Sequence, residues 1–162
     1  MATDLRFDAV VRAPFGGIGV RVGDGTVTEL VYVPPSVVPA AARSGLARRT
    51  ALQIEAYLAD AAFRFDLPLA LRGSEFQQRV WDVIAAIPAG STLTYGDVAR
   101  RIRSAPRAVG QACGANWFPL VVPCHRVLAA GGIGGFARHG GGGFHLDVKR
   151  WLLRHERVPG YA

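Results

Sequence analysis

The sequence predicts an α/β (α+β) chain of two lobes, a small β-sheet lobe with a helix followed by a mostly helical lobe containing a helix-turn-helix. Three observations predict it. The 162 residues, 50% of them hydrophobic, are enough for one domain with a real core and a second small lobe. Apolar and polar side chains alternate with period two up to about Tyr32, whereas capping signals and helical periodicity dominate from Ser74 onward. A connector containing Pro68, from Phe65 to Arg72, separates the two regimes and sets lobes of 1–72 and 73–162.

In chain order, Ile18 to Val22 and Val27 to Tyr32 read as strands, with Gly23-Asp24-Gly25 as the hairpin turn between them. Pro34, Pro35 and Pro39 mark a linker, and Arg43 to Ala61 reads as a helix whose apolar residues Leu52, Ile54, Tyr57 and Leu58 recur near the helical period. Ser74 is placed to cap a helix that runs through Phe76 and Trp81 and ends near Pro88-Ala89-Gly90. Thr94 caps a second helix from Tyr95 to Ile102, and after the break at Arg103-Ser104-Ala105-Pro106 a third runs from about Arg107 to Ala115. Two short helices joined by a tight turn make a helix-turn-helix, a shape that many helical domains share. Leu146 to His155 closes the chain as a helix carrying Val148, Trp151, Leu152 and Leu153.

Composition excludes several classes. No apolar run approaches the roughly 20 residues of a membrane span, and residues 1–12 lack the apolar segment of a secretion signal, so a cytoplasmic protein without membrane contact is expected. Two cysteines, Cys113 and Cys124, exclude a disulfide framework, and no Cys/His set has zinc-site spacing; no metal and no cofactor are expected. The 19 basic residues outnumber 12 acidic ones for a net charge of +7, and all but Lys149 are arginines. Arginine suits bidentate phosphate contact and stacking on bases, although net charge also serves plain solubility.

The densest chemical signal is Pro119-Leu120-Val121-Val122-Pro123-Cys124-His125-Arg126-Val127. An apolar run ends in proline and presents a cysteine beside an imidazole and a guanidinium, groups that lower a thiol pKa and activate a nucleophile. A free cysteine is more commonly a small core residue, and sequence neighbours point in different directions. Both readings stay open on spacing alone.

Pro123-Cys124-His125-Arg126-Val127 matches the active-site motif of the O6-alkylguanine-DNA alkyltransferases (methylated-DNA–protein-cysteine methyltransferases), and the similarity extends on both sides. Phe76 to Trp81, Ile87 to Gly90, Thr94-Tyr95-Gly96, Arg107 to Gly110, Asn116, and Trp151 to Glu156 follow in the family's order, so the resemblance covers about Ser74 to Glu156. It implies repair of DNA by transfer of an alkyl group from O6-alkylguanine, or from O4-alkylthymine, onto Cys124, once per molecule. In that scheme His125 takes the thiol proton through a water, Glu156 orients the histidine, Asn116 holds the loop, and Tyr95 donates to guanine N3. Double-stranded DNA is entered through the minor groove by a monomer. Arg107 takes the place of the flipped base, Ala108, Val109 and Gly110 keep the helix narrow, and Arg126 joins the DNA-binding set. Arg100, Arg101 and Arg103 serve as phosphate contacts or as a solvated face. The alternative is a non-catalytic relative that binds alkylguanine DNA and recruits excision repair; such relatives replace the cysteine. A cysteine hydrolase is disfavoured because adjacent Cys and His do not form the usual dyad.

The chain departs from the family at three places. Trp117 follows Asn116 where proline is usual, the segment from Tyr95 to Arg107 is shorter than expected, and residues 131–144 are an extended glycine-rich loop. The alkyl pocket expected from Trp117, Pro119, Phe136 and Ala137 lacks the family's tyrosine and small polar residue on that loop. Glycine opens backbone conformations closed to other residues, so a looser pocket that accepts bulkier alkyl groups is expected. Transfer rates on O6-benzylguanine and O6-methylguanine test this: the expected methyl preference is weaker than that of other family members, and a stronger one would contradict the loose pocket.

Overall fold

The computed structural model describes residues 6–135 and 143–161. Contacts divide the chain into two units, Met1–Ala70 and Leu71–Ala162. In the first, strands β1 (Ala9–Ala13), β2 (Gly16–Gly23) and β3 (Thr26–Val33) form an antiparallel sheet in sequence order. The β2–β3 turn is made by Asp24 and Gly25, with φ of 51° and 76°. Two consecutive positive φ angles are what a type I′ hairpin needs, and Asp-Gly supplies them at little cost.

Helix α1 (Gly45–Ala59) starts where Ser44 accepts the Ala47 N–H and lies along the sheet. Its buried residues are Ala47, Thr50, Ile54 and Tyr57, spaced three or four apart. Leu52, counted by periodicity with the apolar set, is 54% exposed, because two residues from Ile54 is the opposite side of a helix. Pro68 accepts the Val27 N–H at 2.7 Å and Ala70 donates to the Val27 carbonyl at 2.9 Å, so the connector is tied to the sheet as far as Ala70.

The second unit holds α2 (Glu75–Ala85), β4 (Leu93–Thr94), α3 (Tyr95–Ile102), α4 (Pro106–Gly114), β5 (Val127–Leu128) and α5 (Phe144–His155). Ser74 and Gln77 form a reciprocal capping box on α2, as do Thr94 and Asp97 on α3. Helix α2 ends at Ala85, a turn before the expected proline stop. Arg103 closes α3 in the left-handed region at φ 55°, and the Ser104 N–H bonds back to the Ala99 carbonyl at 2.9 Å. Such a cap reverses the chain within three residues, and Pro106 then opens α4 at a position where its missing N–H costs nothing.

The Trp81 indole donates to the Ala112 carbonyl at 2.9 Å in the interior, fastening α2 to α4. Val80, Ile84, Val98, Val109, Val127, Val148, Leu152 and Leu153, each wholly buried, form the core of this unit. The two-residue strands β4 and β5 pair in parallel, Leu93 with Val127 and Thr94 with Leu128. That pairing was not foreseen, and it sets the start of α3 beside the segment that follows Cys124. Among the described residues no helix is long and apolar enough to cross a membrane.

Candidate active site

The site begins with an abrupt change of direction. Pro123 sits at φ −82° and ψ 67°, and the Cys124 N–H bonds to the Val122 carbonyl at 2.8 Å, an inverse γ-turn. Proline suits this turn because its ring already fixes φ. Cys124, His125 and Arg126 then form a single 3₁₀ turn before β5, closed by the Arg126 N–H on the Pro123 carbonyl at 2.9 Å. Three consecutive side chains thereby point in three directions.

Cys124 is buried, at 4% exposure. The Asn116 amide donates to its Sγ at 3.3 Å and to the Val122 carbonyl at 2.8 Å, while its carbonyl oxygen accepts the Phe118 N–H at 2.8 Å. One side chain therefore sets both the loop and the sulfur. A hydrogen bond with the Cys113 thiol and burial push the Cys124 pKa well up, and Asn116 and the Lys149 charge oppose them. His125 and Arg126 are not among the groups that lower it. Both of those side chains are engaged by Glu156 instead, and the resting group is a thiol.

His125 and Glu156 are fully buried side chains joined by Nε2 and Oε2 at 2.8 Å. Arg126 grips the same carboxylate through Nε at 2.8 Å and Nη2 at 2.9 Å, and its Nη1 donates to the Ile87 carbonyl at 2.6 Å. A carboxylate held by a guanidinium fork stays ionised, so it accepts the proton on Nε2 and leaves the lone pair on Nδ1. That nitrogen is buried and bonds no group among the described residues. Burial lowers the His125 pKa, with the hydrogen bond and charge of Glu156 opposing. The imidazole is thus neutral and available as a base.

Tyr95, at the first position of α3, donates its hydroxyl to the Gly135 carbonyl at 3.3 Å. Burial first, then the neighbouring Cys113 and Cys124, raise its pKa, so the phenol keeps its proton. Gly134 sits at φ 76°, and a β-carbon there would lie 3.0 Å from the Tyr95 ring, so a larger residue would be strained in its backbone and crowd the tyrosine.

The remaining candidates fall in different places. Arg107 is exposed in the first turn of α4, and Ala108 and Gly110 are partly exposed on the same helix. Val109, placed by sequence on the DNA face, is 0% exposed and belongs to the core. Arg126, also assigned to DNA, has a side chain 11% exposed and is committed to Glu156 and Ile87. Trp117 is 37% exposed beneath the Arg72 guanidinium, 4.5 Å from the ring centroid, and Pro119 is half-buried. Phe136 and Ala137 lie outside the described residues.

Sequence reasoning missed two groups. Cys113 lies one turn before Asn116 at the end of α4, and its thiol is the first group that raises the Cys124 pKa; its place on that helix was the available signal. Lys149 is buried in α5 and donates to the carbonyls of Val127 at 2.8 Å and Gly135 at 2.9 Å. Being the chain's only lysine was its signal. Among the described residues no group of three or more His, Cys, Asp or Glu is placed to hold a metal ion.

Fold and site together define a helix-turn-helix protein with a cysteine beside a buried His–Glu pair. Residues 75–158 match the family model described as 6-O-methylguanine DNA methyltransferase, DNA binding domain. The methylated-DNA–protein-cysteine methyltransferase of Mycolicibacterium paratuberculosis is 40% identical over 155 residues, spanning 91% of this chain and 90% of that one. Its namesake from Methanosarcina mazei is 43% identical over 112 residues, 67% of each chain. The crystal structure of the Mycobacterium tuberculosis O6-methylguanine methyltransferase superposes with a TM-score of 0.76 at 34% identity, covering 93% of both chains. That of M. tuberculosis OGT in complex with DNA also scores 0.76, covering 94% of both. This chain belongs to the methylated-DNA–protein-cysteine methyltransferase family.

The buried His125 gives a pH signature. Unfolded, it titrates near its ordinary value of 6.5; folded, it titrates lower. Between the two values the unfolded chain binds more protons, so the stability is complete above pH 6.5 and is lost as pH falls through the window below it. Urea unfolding at pH 7.5 and 5.5 should show a drop that His125→Gln reduces; an equal drop in both proteins would contradict this.

Proposed function

We propose that this chain repairs DNA by moving the alkyl group of O6-alkylguanine, or of O4-alkylthymine, irreversibly onto Cys124. One observation carries the reading: a buried thiol fixed by Asn116 stands next in the chain to a neutral histidine whose far nitrogen is tied to an ionised carboxylate. The names of the relatives, methylated-DNA–protein-cysteine methyltransferase, support it, and so does a related structure solved in complex with DNA.

The alkyl carbon of a paired base is hidden in the stack, so the nucleotide is flipped into the site, at a cost of a few kcal/mol. Arg107, exposed at the start of α4, fills the gap, and the small Ala108 and Gly110 let the helix approach the minor groove of double-stranded DNA. The Cys124 proton passes through a water to His125 Nδ1, and Glu156 stabilises the imidazolium. The thiolate attacks the alkyl carbon, a C–S bond forms, and the bond to guanine O6 breaks. Tyr95 hydrogen-bonds guanine N3, and with one net proton carried from thiol to base the guanine leaves neutral. The thioether has no route back to the thiol, so each molecule acts once.

Trp117, Pro119, Phe136 and Ala137 are assigned to the alkyl pocket. Residues 73–162 carry DNA binding and transfer, with 1–72 as a supporting lobe, in a cytoplasmic monomer. Intact-protein mass after incubation with a duplex holding one O6-methylguanine tests the reading. The expected result is a gain of one methyl group, limited to one equivalent and absent in Cys124→Ala. Damaged DNA bound tightly with no mass gain would mean a non-catalytic sensor.

A further inference from the structure

Lys149 has no part in the scheme above, yet it is 0% exposed within the same unit. Its ammonium donates to the Val127 carbonyl, three residues after Cys124, and to the Gly135 carbonyl, at 2.8 and 2.9 Å. It also lies 5.9 Å from the centre of the Tyr95 ring. Burial lowers its pKa to about 8, and the adjacent Cys113 and Cys124 oppose that shift. The choice of side chain is informative. Every other basic position in the chain is arginine, and an ammonium is a compact charge with three rotatable donors that fits between carbonyls where a planar fork does not.

The Gly135 carbonyl accepts from two groups at once, the Tyr95 hydroxyl at 3.3 Å and Lys149 at 2.9 Å. A phenol has one proton to donate. If Tyr95 donates to guanine N3, as proposed above, it must release Gly135, and the half-buried Gly135 carbonyl then keeps a protein partner only through Lys149. We propose that Lys149 is a positioning residue for alkyl transfer: it holds the Gly135 carbonyl, and with it the start of the glycine-rich loop, while Tyr95 hands its proton from Gly135 to the flipped base. The two donors at Gly135 thus have different tasks. The tyrosine exchanges partners and the lysine stays. Its bond to Val127 ties that loop to the strand leaving the nucleophile, so sulfur, tyrosine and loop keep their spacing during the exchange. The inference rests on the alkyl-transfer reading.

Single-turnover transfer from an O6-methylguanine duplex tests it in wild type, Lys149→Met, Lys149→Gln, Tyr95→Phe and the Lys149→Met/Tyr95→Phe double variant. Thermal melting and DNA affinity are recorded for each. Lys149→Met should slow transfer tenfold or more with DNA Kd within twofold of wild type. Lys149→Gln, which keeps a donor without the charge, should recover most of the rate. The double variant should be little slower than the slower single one, because without the handover there is nothing left to support. Without DNA, amide exchange over residues 129–135 should quicken in Lys149→Met and stay near wild type in Lys149→Gln. Wild-type transfer by Lys149→Met, multiplicative effects in the double variant, or unchanged amide exchange would each overturn the role. Should Lys149→Met fail to fold, Lys149→Gln decides: a folded glutamine variant as slow as Tyr95→Phe overturns it, and one near wild type supports it. Absence of transfer by wild type itself would defeat the alkyl-transfer reading, and the amide-exchange comparison then judges the lysine's hold on the loop separately.

Discussion

The helical unit is organised around one buried carboxylate. Glu156 sits at the end of α5 with its side chain fully enclosed, bonded to His125 on one oxygen and gripped across both by Arg126. Burying an ion is expensive unless it is paired and its remaining acceptor sites are filled, and removing one partner of such a cluster typically costs about 3–5 kcal/mol. The arrangement therefore persists only because all three groups are in place. It joins the C-terminal end of α5 to the turn that presents Cys124, and through Arg126 to the Ile87 carbonyl after α2. The same contacts that hold the fold here also fix which nitrogen of His125 carries its proton.

Around that cluster the backbone does the positioning. A proline γ-turn ejects the chain from the apolar run, and the 3₁₀ turn sends thiol, imidazole and guanidinium apart. The parallel pairing of Val127 and Leu128 with Leu93 and Thr94 places Tyr95 near the sulfur. Asn116 and Lys149 act on the two ends of this segment, the first on Val122 and Cys124, the second on Val127 and Gly135. Cys124, the proposed nucleophile, has its pKa raised by its surroundings. Its thiol is pushed toward the protonated form by Cys113 and burial, so in the proposed reaction activation falls to His125.

Much of this was legible in the sequence where the signal is local. Ser74 and Thr94 announced their helices because a capping side chain acts within four residues, and Asp24-Gly25 announced its turn because few pairs tolerate two positive φ angles. Cys124, His125, Asn116 and Glu156 came from a motif pattern, and the structure joins Asn116 to Cys124 and His125 to Glu156. Burial and direction were not legible. Val109 shares a short stretch with Ala108 and Gly110, but the helical period turns it into the core. Arg126 follows His125 on the chain, and only the folded position of Glu156, 30 residues away, shows where its charge is spent. The two-residue pairing of β4 with β5 and the reach of Lys149 are tertiary facts with no periodic signature.

The chemistry assigned to the site rests on the tautomer of His125, because in the proposed reaction the thiol proton is taken on Nδ1, which must then carry the lone pair. The measurement that tests this most directly is a long-range ¹H–¹⁵N correlation of the histidine side chains at pH 7.5, with His125→Gln to assign the signals. We expect His125 to show a protonated Nε2, shielded from exchange by its bond to Glu156, and a bare Nδ1. A protonated Nδ1, with Nε2 bare or also protonated, would mean that Glu156 does not set the base, and the proton path from Cys124 would have to be redrawn.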